Sequence, residues 1–137
     1  MKTKAVRIYG KDDLRLEEFE LPAMGLDEIL ARVVCDSICM SSYKAAKQGT
    51  DHKRIPNDIA THPTLIGHEF AGEIVEVGDK WKHRFKAGMK FSIQPAINYA
   101  AGPVGIQSAP GYSYRYIGGD ATYILIPNEV MEQDCLL

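Results

Sequence analysis

Short segments that alternate apolar and polar side chains, each ended by a turn rich in Gly, Pro or Asp, restrict this chain more than any other feature of its sequence. A period of two puts successive side chains on opposite faces of a strand, whereas a helix needs apolar residues three and four apart. Lys4 to Tyr9 and Leu14 to Glu20 follow the first pattern. Gly10 and the paired aspartates between them favour a tight hairpin connection. After a break at Pro22 to Gly25, Glu28 to Cys35 puts Ile29, Ala31, Val33 and Cys35 on one face and Leu30, Arg32 and Val34 on the other. Both faces are largely apolar, so this strand is expected at the centre of a sheet, with Cys35 packed inside as a small hydrophobe.

Gly67 to Gly78, Met89 to Gln94 and Ala121 to Ile126 resume the alternation, giving about six strands in all. Met40 to Lys47 reads as a short helix, with Ser41 or Ser42 as N-cap and Gly49 as the stop. Thr50 to Pro63 shows little periodicity, and Pro95 to Asp120 is a glycine-rich stretch longer than connections inside compact domains usually run. The expected fold is mainly β, a barrel or sandwich with a short helix and one long loop.

At 137 residues, 45% of them hydrophobic, the chain suits one ordinary domain with its own core. Sixteen basic against 18 acidic residues provide no positive field for nucleic acid or an anionic membrane. No stretch approaches the roughly 20 apolar residues of a membrane span. Three cysteines form no dense framework, which suits a reducing compartment, and a cytoplasmic location is expected. Lys80 to Lys86 mixes basic residues with Trp81 and Phe85, and is read as a solvated loop with an aromatic turned inward. His52 and His62 are expected at the surface, and Cys135 carries no expected role. The apolar ending Cys135-Leu136-Leu137 points to a fragment of a longer chain.

Cys39 with the adjacent pair His68 and Glu69 supplies the side-chain types of an open zinc site: thiolate, imidazole and carboxylate. Types alone do not establish contact, because a lone cysteine is more often a buried hydrophobe and a lone histidine a structural residue.

Ile38-Cys39-Met40-Ser41, then Gly67-His68-Glu69, the Val75-Glu76-Val77-Gly78 turn and Phe85-Lys86-Ala87-Gly88 resemble the N-terminal catalytic domain of zinc-dependent medium-chain alcohol dehydrogenases. The resemblance implies a GroES-like β-barrel over residues 1–137, followed in the full-length protein by a Rossmann domain that binds NAD or NADP. It implies one catalytic zinc on Cys39, His68 and Glu69, and makes Ser41 the hydroxyl that relays the proton of an alcohol. It also implies a homo-oligomer at full length.

Met40 stands where the family commonly has glycine, and Ser42 where it has an aspartate that orients the ligating histidine. Lys44 replaces a histidine that ends the proton relay, and is read instead as facing an anionic substrate. No cysteine lies between Cys39 and Cys135, so the four-cysteine structural zinc of many members has no ligands here. Gly102-Pro103-Val104-Gly105 lacks the dinucleotide spacing Gly-x-Gly-x-x-Gly, and no cofactor-binding residue is assigned within the chain.

Asp36 to Lys44 and the run Pro110 to Ile124 are similar to sorbose phosphate reductases, which implies a polyol or sugar phosphate substrate. Lys44, Lys47 and Arg54 are candidates for the phosphate charge, the alternative being a solvated helix face. Two other functions remain open. A zinc-free reductase of the same superfamily would have no use for the Cys39, His68, Glu69 set, and a non-catalytic GroES-like assembly module would need a mobile partner-binding loop and ring assembly.

Overall fold

The structure is a computed structural model and describes residues 1–94 and 99–137. Its strands are β1 (Lys2–Gly10), β2 (Asp13–Glu20), β3 (Ile29–Asp36), β4 (Thr64–Leu65), β5 (Phe70–Val77), β6 (Lys90–Ser92) and β7 (Tyr123–Ile126). Two short helices accompany them, α1 (Met40–Gln48) and α2 (Asn128–Glu132). The strands form two antiparallel sheets, ordered β2-β1-β4 and β6-β5-β3-β7. An Ala5 to Ala121 bridge joins the sheets, and the Thr3 hydroxyl donates to the Tyr123 carbonyl at 2.7 Å.

β1 and β2 form the expected hairpin, turning through Asp12 at φ 53°. Aspartate tolerates this left-handed region better than most residues with a Cβ. β3 lies between β5 and β7, as its two apolar faces require. Ile29 and Ala31 are fully buried against Ile74, Ile124 and Ile126.

The inward position expected for Cys35 does not occur. Val33 pairs with Gly72 and Cys35 with Ala71, so β3 carries one residue more than its partner there. That bulge breaks the alternation of faces, leaving Val34 60% exposed and Cys35 exposed as well.

Helix α1 begins two residues earlier than a cap at Ser41 would allow. Cys39 is extended (φ −117°, ψ 142°), and its sulfur accepts the Ser41 N–H at 3.5 Å, so the N-cap is Cys39 rather than Ser41 or Ser42. Gly49 ends the helix at φ 54°, with its N–H on the Ala45 carbonyl.

The aperiodic stretch after α1 contributes Ile55 and Ile59 to a second core cluster with Ile8, Ala45, Ile66 and Tyr112. Of the expected Pro95 to Asp120 loop, residues 95–98 lie outside the described residues. The remainder is a packed lobe, with Tyr99, Tyr112, Tyr114 and Ile117 buried. Trp81 turns inward as expected, 7% exposed, and its indole N–H donates to Asn128 Oδ1 at 3.0 Å. Phe85 is partly buried against the main core, where Cys135 is fully buried. Among the described residues no helix is long and apolar enough to cross a membrane.

Candidate metal centre

Antiparallel pairing of β3 with β5 opposes Asp36 and Phe70, which brings the chain leaving β3 alongside the chain entering β5. The Ser37 N–H closes that junction on the Glu69 carbonyl at 3.0 Å. Cys39 comes from the first segment, His68 and Glu69 from the second. One ligand atom from each of the three lies within 4.8 Å of the other two. His68 Nε2 and Glu69 Oε1 are 3.5 Å apart. Ligands of a tetrahedral zinc, bound at about 2.0–2.3 Å, are separated by roughly 3.3–3.8 Å, so small side-chain rotations would close the set around an ion.

The protonation states suit that use. Burial, and behind it the charge of Arg54, holds His68 below the usual imidazole value against the opposing pull of Glu69, leaving the neutral ring that ligates metal. The Ser37 hydroxyl donates to Glu69 Oε2 and, with His68 and the Cys39 thiol, keeps that carboxyl below its ordinary range. Nδ1 of His68 is buried without a hydrogen-bond partner among the described residues, so Ser42 does not take over the orienting role of an aspartate. The ring is held instead by Tyr112, whose centroid lies 5.1 Å away at an interplanar angle of 37°.

Tyr112 reaches the site because the glycine lobe passes directly over the His68 backbone. A Cβ on Gly111 (φ 83°) would sit 2.3 Å from the Gly67 carbonyl oxygen and 2.7 Å from His68 Cα. Gly67 itself (φ 92°) leaves no room for a Cβ, which would meet an Asp36 carboxylate oxygen at 2.3 Å. The Ser41 side chain lies near the Tyr112 hydroxyl, and the phenol is pushed above its ordinary pKa, chiefly by burial. Its ring also stacks on His52 at 5.3 Å and 14°. His52 is therefore half-buried in the site wall, not a free surface residue as expected, while His62 is exposed.

Asp36 faces Asp120, and burial, together with hydrogen bonding between the two carboxyls, raises Asp36 to about 7. Both residues line an apolar cleft of about 360 Å³ that also includes Leu14, Ile38, Met40 and Cys39. A second hollow, of about 330 Å³, lies along Glu69, Phe70 and Ile93 and shares Asp36 and Ser37 with the first.

Lys44 is exposed on α1 and does not line the apolar cleft. Lys47 is paired with Asp12 at 2.9 Å. Sequence reasoning assigned no role to Ser37, Asp36 or Tyr112. Tyr112 lies in an irregular segment where no periodicity marks a side chain as buried, and the only signal was its place in the run Pro110 to Ile124.

Two antiparallel sheets, with a thiol, an imidazole and a carboxylate gathered where two paired strands meet, have the build of a GroES-like dehydrogenase domain. Residues 25–133 match the family model described as the alcohol dehydrogenase GroES-like domain, and the chain belongs to that family. It is 58% identical over 135 residues to L-sorbose 1-phosphate reductase of Klebsiella pneumoniae, covering 98% of this chain and 32% of the relative. It is 44% identical over 136 residues to mannitol-1-phosphate 5-dehydrogenase of Aliivibrio fischeri, covering 99% and 31%. The crystal structure of 2R,3R-butanediol dehydrogenase from Bacillus subtilis superposes with a TM-score of 0.76 at 28% identity, over 93% of this chain and 39% of that one. The chain thus spans about a third of the length of the curated relatives it matches.

Proposed function

We propose that residues 1–137 are the catalytic domain of a longer, zinc-dependent dehydrogenase that moves hydride between NAD or NADP and a polyol–ketose pair, with the phosphorylated pair as substrate. One observation carries this reading: the ligand atoms of Cys39, His68 and Glu69 converge within 4.8 Å at the junction of β3 and β5. The relatives whose names specify sorbose 1-phosphate and mannitol 1-phosphate support the substrate class.

On this reading Cys39, His68 and Glu69 would hold the ion, which would supply Lewis acidity toward a hydroxyl or carbonyl oxygen. His68 enters neutral and Glu69 ionised, so neither has to lose a proton before binding it. Ser41 would relay the proton of the substrate hydroxyl, accepting it as its own hydroxyl proton passes to solvent water. Tyr112 orients the Ser41 oxygen and, with its pKa raised, keeps its own proton at neutral pH. The apolar cleft beside Cys39 excludes water from the reacting carbon, and the nicotinamide is held by the remainder of the longer protein.

Zinc stoichiometry of the longer, intact protein by elemental analysis, with a Cys39→Ala variant alongside, tests the reading. One zinc per chain in the parent, lost together with hydride transfer in the variant, is the expected result. Activity without metal, unaffected by the substitution, would identify a zinc-free reductase.

A further inference from the structure

Nine of the cations pair with a carboxylate among the described residues: Lys2, Arg7, Lys11, Arg15, Arg32, Lys47, Lys80, Lys82 and Arg84. Of those with no such partner, Lys4, Lys44, Lys53, Lys86, Lys90 and Arg115 are exposed, and only Arg54 is half-buried. Its Nη1 donates to the Gln107 carbonyl at 3.0 Å, which satisfies hydrogen bonding without neutralising the charge. A guanidinium partly withdrawn from water with no counter-charge is costly unless an anion completes it.

The position of Arg54 is fixed from both sides of its backbone. Its N–H donates to His52 Nδ1 at 3.1 Å, and its carbonyl accepts the Ser113 hydroxyl at 2.6 Å. Those contacts tie it to the ring stack of His52, Tyr112 and His68 at the candidate metal centre. Of the other two candidates, Lys47 is paired with Asp12 at 2.9 Å and Lys44 is exposed on α1.

We propose that Arg54 is the specificity-determining residue that recognises the phosphate of a phosphorylated polyol or ketose at the Cys39, His68, Glu69 site, an inference that rests on the function proposed above. The planar fork of a guanidinium matches two oxygens of a phosphate monoester, a contact no free sugar can replace.

The experiment uses the longer, intact protein with a ketose phosphate, the matching unphosphorylated ketose, and inorganic phosphate as a competitive probe. Arg54→Ala raises KM for the ketose phosphate by about 30-fold or more and weakens inhibition by inorganic phosphate to a similar degree. kcat, zinc content and kcat/KM for the unphosphorylated ketose stay within about threefold. Arg54→Lys recovers part of the loss, and Lys53→Ala, an exposed neighbour, leaves all of these unchanged.

Equal losses on both substrates would overturn the proposal by reducing Arg54 to a structural residue. So would a phosphate-specific loss produced by Lys44→Ala instead. A raised KM for NADP with the ketose phosphate KM unmoved would mean that the recognised phosphate is the cofactor's, which also overturns it. A parent enzyme that reduces neither ketose with either nicotinamide would instead remove the dehydrogenase reading, and this proposal with it.

Discussion

The Tyr112 ring rests against the His68 imidazole with centroids 5.1 Å apart, while its hydroxyl lies near the Ser41 side chain. A single side chain thus positions a candidate ligand and a candidate proton acceptor. Tyr112→Phe keeps the ring and removes the hydroxyl beside Ser41. It is expected to cost about 1 kcal/mol of stability, leave zinc content unchanged and lower kcat about tenfold in the intact protein. Tyr112→Ala opens a cavity, costs about 3–5 kcal/mol and releases zinc, read by thermal denaturation and elemental analysis.

Cys39 has two tasks that substitution separates. Its sulfur caps α1, and it is one corner of the ligand set. Cys39→Ser preserves a capping oxygen, so the melting temperature of the metal-free protein stays close to the parent while zinc falls well below one per chain. Cys39→Ala loses the cap as well and is expected to be about 0.5–2 kcal/mol less stable than Cys39→Ser.

The Asp36 and Asp120 pair makes the stability of the metal-free protein pH-dependent. Asp36 is raised to about 7 in the fold from its ordinary 3.8, so the folded state binds its proton more tightly. The stabilisation is complete below about 3.8 and is lost as pH rises through about 7. His68, held low, acts in the opposite direction, its contribution present above 6.5 and lost as pH falls through its folded value. Asp36→Asn leaves His68 in place, so the melting temperature of the variant should gain on the parent between about pH 4 and pH 7 and level off above that. A difference that does not change with pH would mean the two carboxyls are ionised throughout.

Gly111 tests how tightly the lobe fixes the site. Gly111→Ala combines the left-handed φ of 83° with a clash against the Gly67 carbonyl, and both contacts are backbone. A loss of at least about 2 kcal/mol by denaturant titration is expected, along with weaker zinc retention, because relief requires the His68 segment to move.

Much of this arrangement was legible in the sequence where periodicity or side-chain chemistry spoke directly. The alternation through Ile29, Ala31 and Val33 identified a central strand, and the thiol, imidazole and carboxylate identified the ligand candidates. What failed did so where an extra residue or a long-range contact decided the outcome. Cys35 follows the alternation only until the bulge beside it, and a bulge of this kind depends on the partner strand. The cap passed to Cys39 because the geometry leaving β3 set the helix start, ahead of the stronger capping preference of Ser41 and Ser42. Tyr112 was invisible as a site residue because its contacts with Ser41, His52 and His68 all span more than forty positions.

Thr3 donates to the carbonyl of Tyr123, and Ala5 bridges to Ala121, so the first strand is completed only by the last. During synthesis, then, β1 and β2 emerge as a hairpin that must wait for residues 121–123 before the two sheets can join. The segment carrying Tyr112 likewise arrives long after Cys39 and His68. The pocket is accordingly a late product of folding, and metal captured earlier by the exposed thiol and imidazole would meet an unfinished geometry.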